Sequence, residues 1–410
     1  MNELPIGRRV AYWRNRRKMS QQVFADRLGK SKSWVDKVER GVRRLDKFSV
    51  VYEIADVLQL DVQLLLGRDP DRRPDSATPS EQIEVEELRS ALERYDQISV
   101  ILGGPPVLPP LAELHKAVNH AWLSYQHAKY GVLARALPKL LRDVQAADVA
   151  TGGDRGVGES SHLLSQVYQI ASSSLRKLGE HDLSWLAADR AIVVAQRAGD
   201  PLLAGIASYR VALALLALGR ARPALETNVN VANRLAPGTP GNPVTPERLS
   251  VYGMLLLQAA MAAARTGDAP TVRDLLAGAE EAARAIGGDQ NHYWTSFGPT
   301  NVCLHRVAAM VELGEGRMAI EAHERMDQLG FGALPPERRA HHFLDIARGY
   351  AQVGDVARAS EMLLRGDRLA PSEIRCRPIA REVLSDVLRR VRGAPNTSVA
   401  ELAELMGVGV

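Results

Sequence analysis

The chain has 410 residues, 46% of them apolar, 24% charged and only 5% aromatic, with a net charge of +4. That length allows two or three domains, and the apolar fraction suffices for a buried core, which excludes a disordered chain. Two cysteines, Cys303 and Cys376, exclude a disulfide framework and point to a reducing compartment. Apolar runs such as Val211–Leu218 are too short to cross a membrane, and the N-terminus has no signal-peptide pattern, so a soluble, cytoplasmic protein is expected.

The charge is unevenly placed. Residues 1–47 carry 14 Lys/Arg against 5 Asp/Glu, a surplus of nine, so the remaining chain sums to −5. Basic charge gathered in one tenth of a chain suits a polyanion partner, although a run such as Arg8, Arg9, Arg16, Arg17 and Lys18 can also be a solvated helix face. Within this region Val23, Phe24, Ala25 and Leu28 form the apolar stripe of a short helix. Gly29 follows where a tight turn requires positive φ. Ser31 can cap a second helix whose inward positions are Val35 and Val38, leaving Lys32, Ser33, Asp36 and Lys37 outward. A helix pair joined in this way, the second with polar groups outward, fits a DNA major groove.

Residues 20–41, from Ser20-Gln21-Gln22-Val23 to Glu39-Arg40-Gly41, resemble the helix-turn-helix of the phage lambda repressor/Cro type, the xenobiotic-response-element class. The resemblance spans residues 6–67. It implies a five-helix DNA-binding head over residues 1–67, with Arg14 and Glu39 as an internal ion pair. Further helices are expected after Asp46, burying Val51, Ile54, Ala55 and Leu58, and after Asp61, ending at Gly67. Lys32, Ser33 and Lys37 are expected at base edges, with Trp34 either at a thymine methyl or packed against the first helix. Gln21, Ser31, Arg43, Arg44 and Lys47 are expected at phosphates, and Gln21 also to brace the second helix.

Residues 68–80, rich in Pro and polar residues, read as a linker. Residues 81–102 read as an amphipathic helix with Ile83, Leu88, Leu92 and Tyr95 on one face, and 81–110 as the connection that includes it and a Pro/Gly loop. That helix either dimerises or packs on the domain C-terminal to it.

From residue 111 to 393 the pattern is helical and repetitive. Glycines recur at Gly179, Gly219, Gly267, Gly314 and Gly354, with spacings of 40, 48, 47 and 40. Position five after each holds Ser184, Ala224, Val272, Ala319 or Ala359, and Pro371 follows Gly354 by seventeen residues. The glycine–alanine–proline spacing resembles the tetratricopeptide repeat. The expected fold is therefore all-α: a helix-turn-helix head followed by a tetratricopeptide-like α-solenoid with a concave face. Residues 394–410 are read as a tail.

The plan resembles the peptide-sensing quorum regulators and the head-plus-repeat regulators of high-GC bacteria. It implies a transcription regulator, nucleoid-associated and not an enzyme, that binds an inverted-repeat DNA operator as a homodimer and senses a peptide or small-molecule effector. The alternative is a repeat scaffold for protein–protein interaction anchored to DNA.

Candidate effector residues emerge from side-chain chemistry. Residues 289–301 interrupt the repeat and bring together His292, Tyr293, Trp294 and Phe297, with Asn301 and His305 on the next helix. Rings with amides suit an organic ligand, or they plug a helix junction. Asn228, near Asn230 and Asn233, is similar to the concave-face asparagines of the quorum family, and amides serve both peptide NH and C=O groups. Arg210 either meets a carboxylate or extends its charge to solvent. Residues 153–160 nearly spell a phosphate loop, but Glu159 stands at the lysine position, so they read as a flexible loop. No cofactor or metal is expected.

Overall fold

The computed structural model describes residues 6–43, 45, 48–58, 60, 65, 79–93, 108–150, 157–391 and 396–409. Among them are twenty-one α-helices, one 3-10 turn and no strand.

The head contains α1 (Ile6–Arg16), α2 (Gln21–Arg27), α3 (Lys32–Glu39) and α4 (Phe48–Val57). Its core is Val10, Phe24, Ala25, Leu28, Val35, Val51, Ile54, Ala55, Leu58 and Leu65, and shares no residue with the larger core of the chain. Leu65 belongs to the expected fifth helix, whose other residues and the Asp46, Asp61 and Gly67 signals lie outside the described residues. Val23, expected inward, is exposed because α2 turns only Phe24 and Ala25 onto the core.

Of the expected linker, residues 68–78 lie outside the described residues, and 79–80 open α5 (Pro79–Glu93). Leu88, Ala91 and Leu92 of α5 are buried in the large core. The described part of its apolar face thus packs on the array, whereas the side chain of Ile83 and residues 94–102 of that helix lie outside the described residues.

The array consists of α6 (Leu111–Gln126), α7 (Tyr130–Ala150), α8 (Val157–Lys177), α9 (His181–Ala198), α10 (Pro201–Ala217), α11 (Ala221–Leu235), α12 (Pro246–Thr266) and α13 (Ala269–Ile286). After the 3-10 turn His292–Trp294 come α14 (Pro299–Glu312), α15 (Gly316–Glu324), α16 (Gln328–Ala333), α17 (Pro336–Val353), α18 (Val356–Leu369), α19 (Pro371–Arg375), α20 (Pro378–Arg390) and α21 (Thr397–Leu405). The five recurring glycines all have positive φ, between 78° and 86°, and stop α8, α10, α12, α14 and α17. The residue five positions later is buried in every case, and in four of the five it is Ala or Ser, whose small side chain lets the next helix turn back closely. The near-phosphate-loop behaves otherwise than expected: residues 157–160 are the first turn of α8, and 153–156 lie outside the described residues.

Neighbouring helices pack as hairpins, and α6, α8, α10, α12, α14 and α17 touch in succession as an inner layer. Instead of an open concave face, this layer curls until α6 meets α17. Lys177 Nζ at the end of α8 lies 2.6 Å from Glu337 of α17 and 2.5 Å from Glu373 of α19. Tyr130 donates its hydroxyl proton to Glu373, and Arg377 pairs with the same carboxylate at 2.5 Å. The expected tail is also structured: α21 buries Val399, Leu402 and Ala403 in the array core.

Candidate DNA interface and internal cavity

Three features aim α3 outward. Gly29, at φ +61°, makes the turn after α2. Ser31 Oγ accepts from Trp34 N at 3.1 Å, satisfying an amide that the helix start leaves open. Val35 and Val38 are buried, while Lys32, Ser33 and Lys37 are exposed. Gly7 of α1 lies so near that a Cβ there would sit 2.0 Å from the Val38 carbonyl oxygen, which fixes α3 against α1. The sequence offered no periodic signal for that contact.

Arg14 and Glu39 form the expected ion pair, with Nε–Oε1 at 2.5 Å and Nη2–Oε2 at 3.0 Å, both residues buried. Gln21 is half-buried and donates to Glu39 Oε2 at 2.8 Å, so its amide braces the end of α3. Not every basic residue is available to DNA. Arg9 donates to the Leu65 carbonyl at 2.7 Å and Arg17 to the Leu58 carbonyl at 3.0 Å, tying α1 to the end of the head. Ser31 and Arg43 are exposed, whereas Arg44 and Lys47 lie outside the described residues. Trp34 is half-buried on the head core, with the Arg43 guanidinium 5.8 Å from its ring centre. Asp36 is engaged by Arg40 at 2.5 Å.

The interrupting segment is built rather than loose. Tyr293, Trp294 and Ser296 all hold positive φ, at 50°, 59° and 49°, a costly conformation that only surrounding contacts can maintain. Tyr293 donates to Asp200 at 2.7 Å, and Asn291 and Gln126 exchange amide hydrogen bonds at 3.0 and 3.1 Å. Trp294 stacks on Trp122 at 5.7 Å, and both indole N–H groups donate to Gln166 Oε1. Trp294 borders a cavity of about 240 Å³ with Trp122, His162 and Gln169. Phe297 is fully buried against Gly253 and offers no ligand face.

A second cavity, of about 250 Å³, lies among the inner helices. Of the candidates, Arg210, Asn301 and His305 line it together, whereas Trp294 and Phe297 do not. The Arg210 guanidinium lies 5.3 Å from the Trp122 ring centre, so Trp294, Trp122 and Arg210 form one stack running from one cavity to the other. Asn228 is fully buried, lines neither cavity, and leaves both amide atoms without a hydrogen bond.

The larger cavity is strongly basic, with seven Lys/Arg side chains on its lining against three carboxylates. Burial, with Arg338 adding to it, pushes His305 down to about 3, so its ring is neutral and Nδ1 donates to the Asn301 carbonyl at 2.9 Å. Burial alone would raise the Tyr209 hydroxyl, but Arg338 and Arg210 outweigh it and lower it. Sequence reasoning missed Arg176, Arg338 and the Lys177 network, which looked like ordinary surface charge.

Residues 5–66 match a family described as a helix-turn-helix domain. No curated protein and no solved structure matches the chain.

Proposed function

We propose that this chain is a sequence-specific DNA-binding transcription regulator whose helical array senses an effector and mediates homodimerisation. The observation that carries the reading is α3, capped and braced so that Lys32, Ser33 and Lys37 are exposed together on a helix-turn-helix head. Exposed basic and hydroxyl side chains on such a helix can reach base edges, while Ser31 and Arg43 beside them suit phosphates. One head of this size offers a small contact area, so two heads on an inverted repeat supply the affinity. The array contributes binding rather than turnover, and the nucleoid is the place of action. Among the described residues no helix is long and apolar enough to cross a membrane.

The test is genome-wide occupancy of the full chain compared with transcript levels when its gene is deleted. A regulator shows altered transcripts beside the occupied sites. Occupancy with unchanged transcripts would instead describe a scaffold anchored to DNA.

A further inference from the structure

Several buried cations in this array have carboxylate partners, and Arg248 has the amide oxygen of Asn242. Lys177 has Glu337 and Glu373, Arg377 has Glu373, and Arg348 has Glu312 at 3.0 Å and Asp345 at 3.5 Å. Such pairing is what makes burial tolerable, since each unpaired ion loses several kcal/mol of hydration and a guanidinium cannot escape by losing its proton. Arg210 departs from the rule. The residue is only 4% exposed, its Nε has no hydrogen-bond partner, and among the described residues no carboxylate pairs with it. The guanidinium lies near two aromatic rings, Tyr209 at 4.8 Å and Trp122 at 5.3 Å, and the residue lines the larger cavity.

Rings can hold a guanidinium near its faces, but they do not satisfy its N–H edge. An edge of parallel N–H donors suits the two oxygens of a carboxylate or a phosphate. Two neighbours add positive charge. Arg176 lines the same cavity with its Nε unpartnered, and Arg338 is shared between Tyr209 and a 3.7 Å contact to Glu337. Elsewhere on the lining, Asn301 Oδ1 is buried without a donor, and the neutral His305 ring has committed Nδ1. The volume, about 250 Å³, falls below the range of roughly 300–1,000 Å³ that holds drug-sized ligands, so an extended peptide does not fit.

We propose that this cavity binds a small organic anion, its carboxylate or phosphate held by Arg210 with Arg176 and Arg338, and that this anion is the effector. The second half rests on the regulator reading above. A hydrogen-bond donor on the anion meets Asn301 Oδ1. Because Arg210, Trp122 and Trp294 are stacked, occupation of the site reaches the indole pair.

The experiment titrates the full chain with inorganic phosphate and with benzoate, the minimal phosphate and carboxylate probes, at constant ionic strength. Neutral benzamide is the control. Tryptophan fluorescence and the melting temperature are followed. At least one anion should bind saturably at millimolar concentration and raise the melting temperature, while benzamide does neither, and the stronger anion identifies the headgroup. Arg210→Met should weaken binding at least tenfold. Arg176→Gln, at a half-buried position outside any ion pair among the described residues, should weaken it several-fold even if Arg210→Met fails to fold. No saturable binding of either anion, or variants that bind as the parent does, would overturn the site. DNA affinity is read with and without the bound anion. Unchanged affinity would overturn the effector role, whereas DNA recognition by α3 is scored separately, without anion.

Discussion

Gly253 of α12 lies directly against the ring of Phe297: a Cβ at that position would sit 1.9 Å from the ring Cζ. The absence of one methyl group is what lets the irregular segment 290–297 seat on the inner layer. Its only sheet-like pairing among the described residues, Gln290 with Phe297, depends on the same seating. Gly253→Ala should therefore destabilise the chain by about 1–3 kcal/mol through overpacking. It should also loosen the Trp122–Trp294 stack, visible as a change in tryptophan emission. A variant with unaltered melting and emission would show that the ring moves aside without cost.

In the head, Glu39 accepts from both Arg14 and Gln21. Glu39→Ala would leave a buried guanidinium without its carboxylate, at about 3–5 kcal/mol. Small domains have few kcal/mol to spare, so α1–α3 should open far more often. Amide hydrogen exchange of the full chain reads this locally. Protection of Phe24, Ala25 and Val35 should collapse while array amides stay protected. Equal protection in parent and variant would show the pair to be dispensable.

Lys177 performs the corresponding task where the array closes. Replacing it with Met removes the charge that two buried carboxylates share, Glu337 and Glu373. A loss of about 3–5 kcal/mol is expected, along with parting of α8 from α17. Small-angle scattering should then report a larger radius for whatever fraction stays folded. An unchanged melting temperature and radius would rule out the closure as a source of stability.

Acid should weaken the array in two windows. Burial, with His323 and His341 beside it, pushes His342 down from 6.5 to about 3. The unfolded chain then binds the proton first, so stability falls as pH drops from 6.5 toward 3. His323 Nδ1 lies 2.9 Å from His342 Nε2, so one ring must accept and both cannot be protonated at once. Glu337 behaves as a depressed carboxylate. Burial opposes its ionisation, but Lys177 and Arg338 outweigh that and hold it at about 2, against 4.5 ordinarily. Its contribution is complete above pH 4.5 and is lost toward pH 2. Urea midpoints measured across pH should show His342→Phe reducing the slope of the upper window, which His305 shares, while leaving the lower one unaltered. If the two profiles run parallel between pH 6.5 and 3, the histidine has no part in the acid response.

Much of this was legible in the chain because local rules set it. Gly29, Ser31 and the Val35/Val38 spacing define α2–turn–α3 within a dozen residues, and the five glycines mark the ends of inner helices by one backbone requirement. Long-range relations left no such trace. Lys177 is separated by 160 and 196 residues from the carboxylates it meets, so ring closure had no sequence signature. Arg176 and Arg338 look in sequence like the solvated ends of helices. Trp294 and Phe297 are aromatic neighbours three apart, yet one borders a cavity and the other fills the core, a distinction made by Gly253 far away. The helix Thr397–Leu405 was readable from Val399, Leu402, Ala403 and Met406, whose 3-1-3 spacing is helical, but it was short enough to pass for a tail.

The most direct test of sequence-specific DNA binding is selection of the full chain on a pool of random duplexes, followed by affinity measurements on enriched and scrambled DNA. An enriched motif is expected, bound at least about 10³-fold more tightly than scrambled DNA. Lys37→Ala should cost about 1–3 kcal/mol on the motif and relax one position, while Arg43→Ala weakens all duplexes alike and lowers the salt slope by about one. No enrichment, or a Lys37→Ala loss that is equal on motif and scrambled DNA, would contradict base reading by α3.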